Sequence, residues 1–229
     1  MIDLRKILQL FSFASVMFAT GLVAEADSID DQANYHFDVY LNGKEIGKHK
    51  VQLRQQDDVK KVKIEADFDV KVLFVSVYKY RHSNEETWKG QCLNKVTAFT
   101  DANGEKFFIN SRKVGEVMQL VTRDGEHGVD GCVRSFAYWD INLLQADMLL
   151  NTQTGDYVRA ELDAKGIDEI QLGDVTFQSK KYQLVTDDGT IDLWYTLDDR
   201  WIALESKTSN DMTIRYEAKL EANYATASF

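Results

Sequence analysis

The chain reads as an all-β protein, mainly antiparallel, built as a strongly curved sheet or incomplete β-barrel with one short helix. Three observations predict this. Apolar residues alternate with polar ones in run after run, from Tyr35 to Leu220. Turn signals such as Asn42-Gly43, Asn103-Gly104, Asp124-Gly125, Asp130-Gly131 and Asp188-Gly189 recur at roughly ten to twenty residue intervals, the punctuation of an antiparallel meander. A single stretch, "YWDINLLQADMLLN", breaks into helical spacing.

The first 26 residues read as an export signal. Arg5 and Lys6 give a positive start, Ile7 to Val23 is apolar with few interruptions, and Ala24-Glu25-Ala26 supplies small residues for cleavage after Ala26. The alternative is an uncleaved anchor helix, since the stretch is near the short limit for a span. No Cys follows the leader to take a lipid, and Arg5-Lys6 is not a twin-arginine pair. The expectation is a periplasmic or secreted protein whose mature part, 27–229, forms one β-rich domain without a transmembrane anchor. Asp3, Glu25, Arg5 and Lys6 cancel, so removing 26 of 229 residues leaves 203 that carry the full −10. Such a charge argues against nucleic acid as a partner, because its phosphates would be repelled. Proline is absent, which removes the usual punctuation of interdomain linkers.

Strand signals begin at "YHFDVYL", with Tyr35, Phe37, Val39 and Leu41 on one face. Asn42-Gly43 is a strong hairpin turn. On the return strand Lys44–Arg54, Gly47, His49, Val51 and Leu53 share a face, opposite Ile46, Lys48, Lys50 and Gln52. His36 and His49 are expected to face each other across this hairpin, two ligands at most for a metal and no zinc pattern. After Asp57-Asp58 comes Val59–Tyr80, long for a single strand and therefore bent, bulged or curved. Within it, "DVKVLFVSVYKYRH" starts half-polar and then turns apolar on both faces at Leu73, Val75 and Val77. Burying each would stabilise by roughly 1.5–3 kcal/mol, whatever covers it. A second sheet, a helix on the concave side, a ligand pocket, or a membrane or protein partner could do so. The long segment and the single helix favour a curved sheet that the helix partly closes.

Asp140 is placed to cap that helix, expected from about Ile141 to Leu150, with Ile141, Leu144, Gln145 and Met148 at its spacing. So short a helix must pack on the sheet or plug one end of it. Strand spacing resumes at "TIDLWYT" and "RWIALES", joined by Leu197-Asp198-Asp199, and continues through Met212–Leu220. Cys92 and Cys132 are expected to pair as a disulfide in an oxidising compartment. Its loop of about 41 residues would be worth ~4 kcal/mol in the chain-entropy account.

Taken together, "FDVYLNGKEIGKHKVQL", "FDVKVLFVSVYKYRHSNEETWKGQCL", "FAYWDINLL", "LLNTQTGDYV" and "IDLWYTLDDRWIALES" resemble an uncharacterised family of exported Gram-negative bacterial proteins, a domain of unknown function. The resemblance runs from about Tyr35 to Tyr216 and carries no activity with it. More distantly, "VYLNGKEIG" and "LWYTLDDRWIALE" look like another exported family similar in architecture to the periplasmic lipoprotein carriers. That architecture implies an incomplete antiparallel barrel with an apolar hollow closed by helices.

The sequence contains no G-x-S-x-G, H-E-x-x-H, phosphate-binding loop or dinucleotide fingerprint, so no cofactor is expected. His82 could be a base or ligand contact at a cavity mouth, or a strand-end histidine bonded to a loop. His127 falls in a Gly-rich turn. Asp140, Asp192 and Glu205 are carboxylates in apolar runs, candidates for raised-pKa acids or for caps and Arg pairs. Leu73, Val75, Val77, Tyr80, Trp88, Tyr138, Trp139, Trp194 and Trp201 are candidate linings of an apolar pocket. Three functions compete: binding or carriage of a lipid, acyl chain or other apolar small molecule, an interaction module of the envelope, and a small hydrolase or isomerase using His82, Asp140 or Glu205.

Overall fold

The computed structural model describes residues 31–72, 74–208 and 211–219. The expected export signal, residues 1–26, and Leu73 lie outside the described residues. Fourteen strands follow one another: β1 Asp31–Leu41, β2 Lys44–Gln56, β3 Val59–Val72, β4 Val75–Lys89, β5 Cys92–Ala102, β6 Glu105–Val114, β7 Val117–Thr122, β8 Gly125–Asp130, β9 Met148–Leu150, β10 Tyr157–Leu172, β11 Val175–Thr186, β12 Gly189–Tyr195, β13 Trp201–Lys207 and β14 Thr213–Ala218. All belong to one antiparallel sheet, ordered β8-β7-β6-β5-β4-β3-β2-β1-β14-β13-β12-β11-β10-β9. Two meanders are thus fused side by side where β1 pairs with β14, Val39 opposite Tyr216.

The sheet does not close. Its edges are β8 and the three-residue β9, and residues 131–147 connect them. This connection crosses the interior. Its alternate residues Val133, Ser135, Ala137 and Trp139 are buried, as are Ile141, Leu143 and Leu144. They join one continuous core with Val51, Trp88 and Leu120 from the first meander and Leu184, Leu193 and Trp201 from the second. The hollow of the curved sheet is therefore filled largely by the protein's own crossover. The Cys92–Cys132 disulfide pins the start of that crossover to β5, beside the bond from Leu93 N–H to the Val133 carbonyl.

The crossover's helix is shorter than its spacing predicts. A 3₁₀ turn spans Ile141–Gln145, capped by the Asp140 carboxylate accepting from Asn142 N–H at 3.1 Å. Beyond it, Leu150 N–H donates to the Arg134 carbonyl and Ala160 N–H to the Asp147 carbonyl. Pairing with the sheet takes over the backbone groups that a longer helix would have used, since isolated short helices are marginal.

Val59–Tyr80 is likewise no single strand. It reverses between Val72 and Val75, and β3 and β4 form a hairpin from Val72 opposite Val75 down to Val59 opposite Lys89. Phe74 sits in the left-handed region, φ 71°. Curvature of the wall comes from bulges at Val39/Tyr40, Val70/Lys71, Thr87/Trp88, Ala164/Gly166 and Trp194/Tyr195. At Gly47 the neighbouring strand comes so close that a Cβ would collide with the Asp67 carbonyl oxygen.

A second, smaller core lies on the outer face. The far half of the β10–β11 hairpin bends at Gly166 and folds over β12 and β13, so Ile170, Leu172 and Phe177 pack on Trp194, Ile202 and Ala203.

Candidate functional site

Directly opposed residues in antiparallel strands share a face. Across β1 to β5 one such row is Phe37, His49, Ala66, His82 and Thr100. The next row is Val39, Gly47, Phe68 and Tyr80, with Tyr216 beyond Val39. Both rows look inward. Between them and the crossover an open cleft of about 280 Å³ remains, walled by His49, Tyr80, His82, Trp201 and Tyr216 on the sheet and by Phe136, Tyr138 and Trp139 opposite. Asn151, Thr152 and Gln153, from the β9–β10 loop, form its rim.

The cleft's polar groups are neutral apart from the Asp188 carboxylate, which lines it together with Thr186. Both ring nitrogens of His49 are shut off from solvent without a protein partner among the described residues, and so is Trp139 Nε1. The His49 imidazole meets the rings of Tyr216 and Trp201 edge-on, at 5.3 and 5.9 Å. Burial, then the nearby His82, pushes its pKa down to about 3. His82 Nδ1 lies 2.8 Å from Thr100 Oγ1, and burial lowers its pKa to about 4. Both imidazoles are consequently uncharged at neutral pH. Tyr80 donates its hydroxyl to Gln153 Oε1 at 2.9 Å, tying wall to rim. Burial raises the phenol pKa values of Tyr80, Tyr138 and Tyr216.

Beneath this cleft Glu86 is buried among three donors: Trp88 Nε1 at 2.8 Å, Asn84 Nδ2 at 2.9 Å and Ser135 Oγ at 3.0 Å. Burial raises its pKa, and the three bonds pull the other way. The Ser135 bond makes Glu86 a fastener between sheet and crossover.

The expected site residues divide between these surroundings. Tyr80, His82, Tyr138, Trp139 and Trp201 line the cleft. Trp88 is fully buried core, edge-on to Trp139. Trp194 is on the outer face, its Nε1 bonded to Asp168 at 3.1 Å, because Ala203, its partner in register, faces outward too. Val75 and Val77 line no cleft and are exposed on the β3–β4 hairpin. Asp140 caps the 3₁₀ turn and pairs with Lys60 at 3.1 Å. Glu205 pairs with Arg215 at 3.0 Å on the outer face, beside Asp192 in register. His82, Asp140 and Glu205 therefore do not converge on one point. His36 is opposite Lys50 and points away from His49, which is opposite Phe37. His49, Phe136, Gln153 and Tyr216 were not among the expected lining. For His49 the signal was present, a histidine on the Gly47–Val51–Leu53 face.

Residues 37–219 match the family described as a domain of unknown function, DUF6134, and the chain belongs to that family. No curated protein matches. Among solved structures, the chain is similar to a β-barrel-like protein of another domain of unknown function, DUF1849, from Brucella abortus. That match has a TM-score of 0.60 at 9% identity, covering 82% of this chain and 95% of the other. The likeness is one of fold: an antiparallel, barrel-like sheet.

Proposed function

We propose that the protein binds one small, uncharged, mostly apolar molecule in the inner cleft, and does so in the periplasm after removal of residues 1–26. The observation that carries this is an open cleft inside the sheet walled by the rings of Tyr80, Phe136, Tyr138, Trp139, Trp201 and Tyr216, with Asn151, Thr152 and Gln153 at its rim. Such a site, apolar walls with a few polar groups at one side, is the usual form of a small-molecule pocket. The rim's amide and hydroxyl side chains offer both donors and acceptors. A hydroxyl or un-ionised acid group on an acyl chain or ring would complement them. An anionic head group would find no cation among the cleft's lining residues and would be costly to desolvate.

The size of the cleft narrows the class. About 280 Å³ is just under the range of drug-sized sites, roughly 300–1,000 Å³. Because the crossover fills the rest of the hollow, a single chain or ring fits and a multi-acyl lipid does not. The disulfide suits an oxidising compartment.

Native mass spectrometry of protein purified from its own periplasm should show a bound small apolar molecule. Decanol added to the delipidated protein should quench tryptophan emission saturably, through Trp139 and Trp201. Neither a co-purified mass nor any saturable quenching would remove the binding role.

A further inference from the structure

The β3–β4 hairpin outreaches both neighbours. Pairing of β2 with β3 stops at Gly47 opposite Phe68, and pairing of β4 with β5 stops at Tyr80 opposite Ala102. Asp69–Lys79 is still tied to the β5–β6 turn through Asn103, and beyond it three ladder pairs, Val70–Tyr78, Lys71–Ser76 and Val72–Val75, extend past both neighbours as an arm about 10 Å long. Its apolar residues are uncovered: Phe74 is 99% exposed, Val75 64%, Val72 56% and Val77 51%.

The same chain shows what a covered arm looks like. The β10–β11 hairpin also runs past its neighbour, but it folds back and buries Ile170, Leu172 and Phe177. Of the β3–β4 arm's described residues, Val70, at its root, packs on the body against Val39, Ile46, Ala66 and Phe68, while Val72, Phe74, Val75 and Val77 stay exposed. Its turn is also unlike the others. Two-residue turns elsewhere in this sheet are Asn42-Gly43, Asp57-Asp58, Gly90-Gln91, Asn103-Gly104, Gly115-Glu116, Arg123-Asp124, Gly173-Asp174 and Asp187-Asp188. All are polar or contain glycine, as tight turns require. Here Phe74 stands in the turn between Val72 and Val75, held at positive φ, a conformation unfavourable for a bulky side chain.

We propose that this arm is a membrane-docking element, which inserts Phe74 and its valine neighbours into the interface of an anionic lipid bilayer. Charge selects this occupant. In a chain of net charge −10, the segment 69–79 holds Lys71 and Lys79 against Asp69 alone and is net positive. Lys44 of β2 adds a third ammonium beside the arm, where its Nζ donates to the Lys71 carbonyl at 2.7 Å. Apolar side chains stand at the tip, Lys71 follows one ladder pair behind, and Tyr78 and Lys79 lie further back, so the tip meets hydrocarbon while the long lysine side chains reach back to the phosphates. Exposed apolar patches mark such contacts.

Flotation of the disulfide-bonded chain with vesicles of equimolar phosphatidylglycerol and phosphatidylcholine tests this. Binding should exceed that to pure phosphatidylcholine and should fall with added salt. Phe74→Ser should weaken it by about tenfold or more, and Lys71→Glu with Lys79→Glu should abolish the preference for the anionic lipid. In Phe74→Trp, emission should shift to the blue on adding vesicles. Because Phe74, Lys71 and Lys79 belong to none of the three buried clusters, the thermal melt of each variant should match the parent, which separates loss of docking from loss of fold. Absence of flotation at every lipid composition, or flotation unchanged by Phe74→Ser, overturns the proposal. So does a concentration-dependent dimer that Phe74→Ser dissolves, which would make a second copy the arm's cover.

Discussion

His49 and His82 enter the fold uncharged, and this links stability to pH. Their folded pKa values, about 3 and about 4, lie below the ordinary histidine value near 6.5 that the unfolded chain retains. Between about pH 6.5 and 4 the unfolded chain therefore binds protons that the folded chain refuses. Stability should fall as pH drops through this window, by up to about 1.4 kcal/mol per pH unit for each histidine. Glu86 acts in the opposite sense. Its raised folded pKa favours the fold at low pH and loses that contribution as pH rises, so it partly offsets the histidines near the acid end. Urea titrations at pH 7, 6, 5 and 4 should show the acid decline, and His49→Phe should flatten it. A decline unaltered by that substitution would assign the effect to other groups. At this scale the sequence was informative about chemistry and poor about location. The alternation of β2 placed His49 on an apolar face. Whether that face met a filled core or open space depended on the crossover, which is remote in sequence.

The elements show where local pattern wins and where pairing overrides it. Asn42-Gly43 and Asn103-Gly104 sit in turns as their chemistry predicts. The chain also turns between Val72 and Val75, although nothing in the local composition announces it, so Val59–Tyr80 reads as one long ribbon in the sequence. The helical spacing after Asp140 had the right cap and start. It ended early because Leu149 and Leu150 are buried better as a strand beside β10. The crossover is the element on which the cleft depends, and its anchors are the Cys92–Cys132 bridge and the Ser135–Glu86 bond. Replacing both cysteines by serine should lower stability by about 2–4 kcal/mol. It should also open the segment around Val133 to protease before the rest of the sheet. A double variant with unaltered denaturation midpoint and unaltered proteolysis would show that the packed interior alone holds the crossover.

On the scale of the whole molecule, the seam of β1 and β14 pairs the two meanders into one sheet and brings opposite ends of the described chain together. Lys219 N–H donates to the His36 carbonyl along it. Such distant pairing carries a large loop-closure cost and slows folding. A chain ending at Met212 would lack β14, unpair β1 and β13, and remove Tyr216 from the cleft. It should lose cooperative unfolding, seen as a broad thermal transition with diminished near-ultraviolet dichroism, and a retained sharp melt would show that the halves hold together through the crossover alone. The edges are left at β8, which carries Glu126, His127 and Asp130, and at β9, which is three residues long. Both choices discourage edge-to-edge association. The sequence by itself determined the strand-rich class, the antiparallel meander, the pairing of the two cysteines and the capped turn after Asp140. All follow from alternation, turn chemistry and capping, which act over a few residues, or from the cysteine count. Only the tertiary structure decided that the crossover fills the hollow, that Trp194 faces outward while His49 faces the cleft, and that one arm folds down while the other stands free. These depend on register and bulges summed across many strands, where one inserted residue exchanges inside for outside.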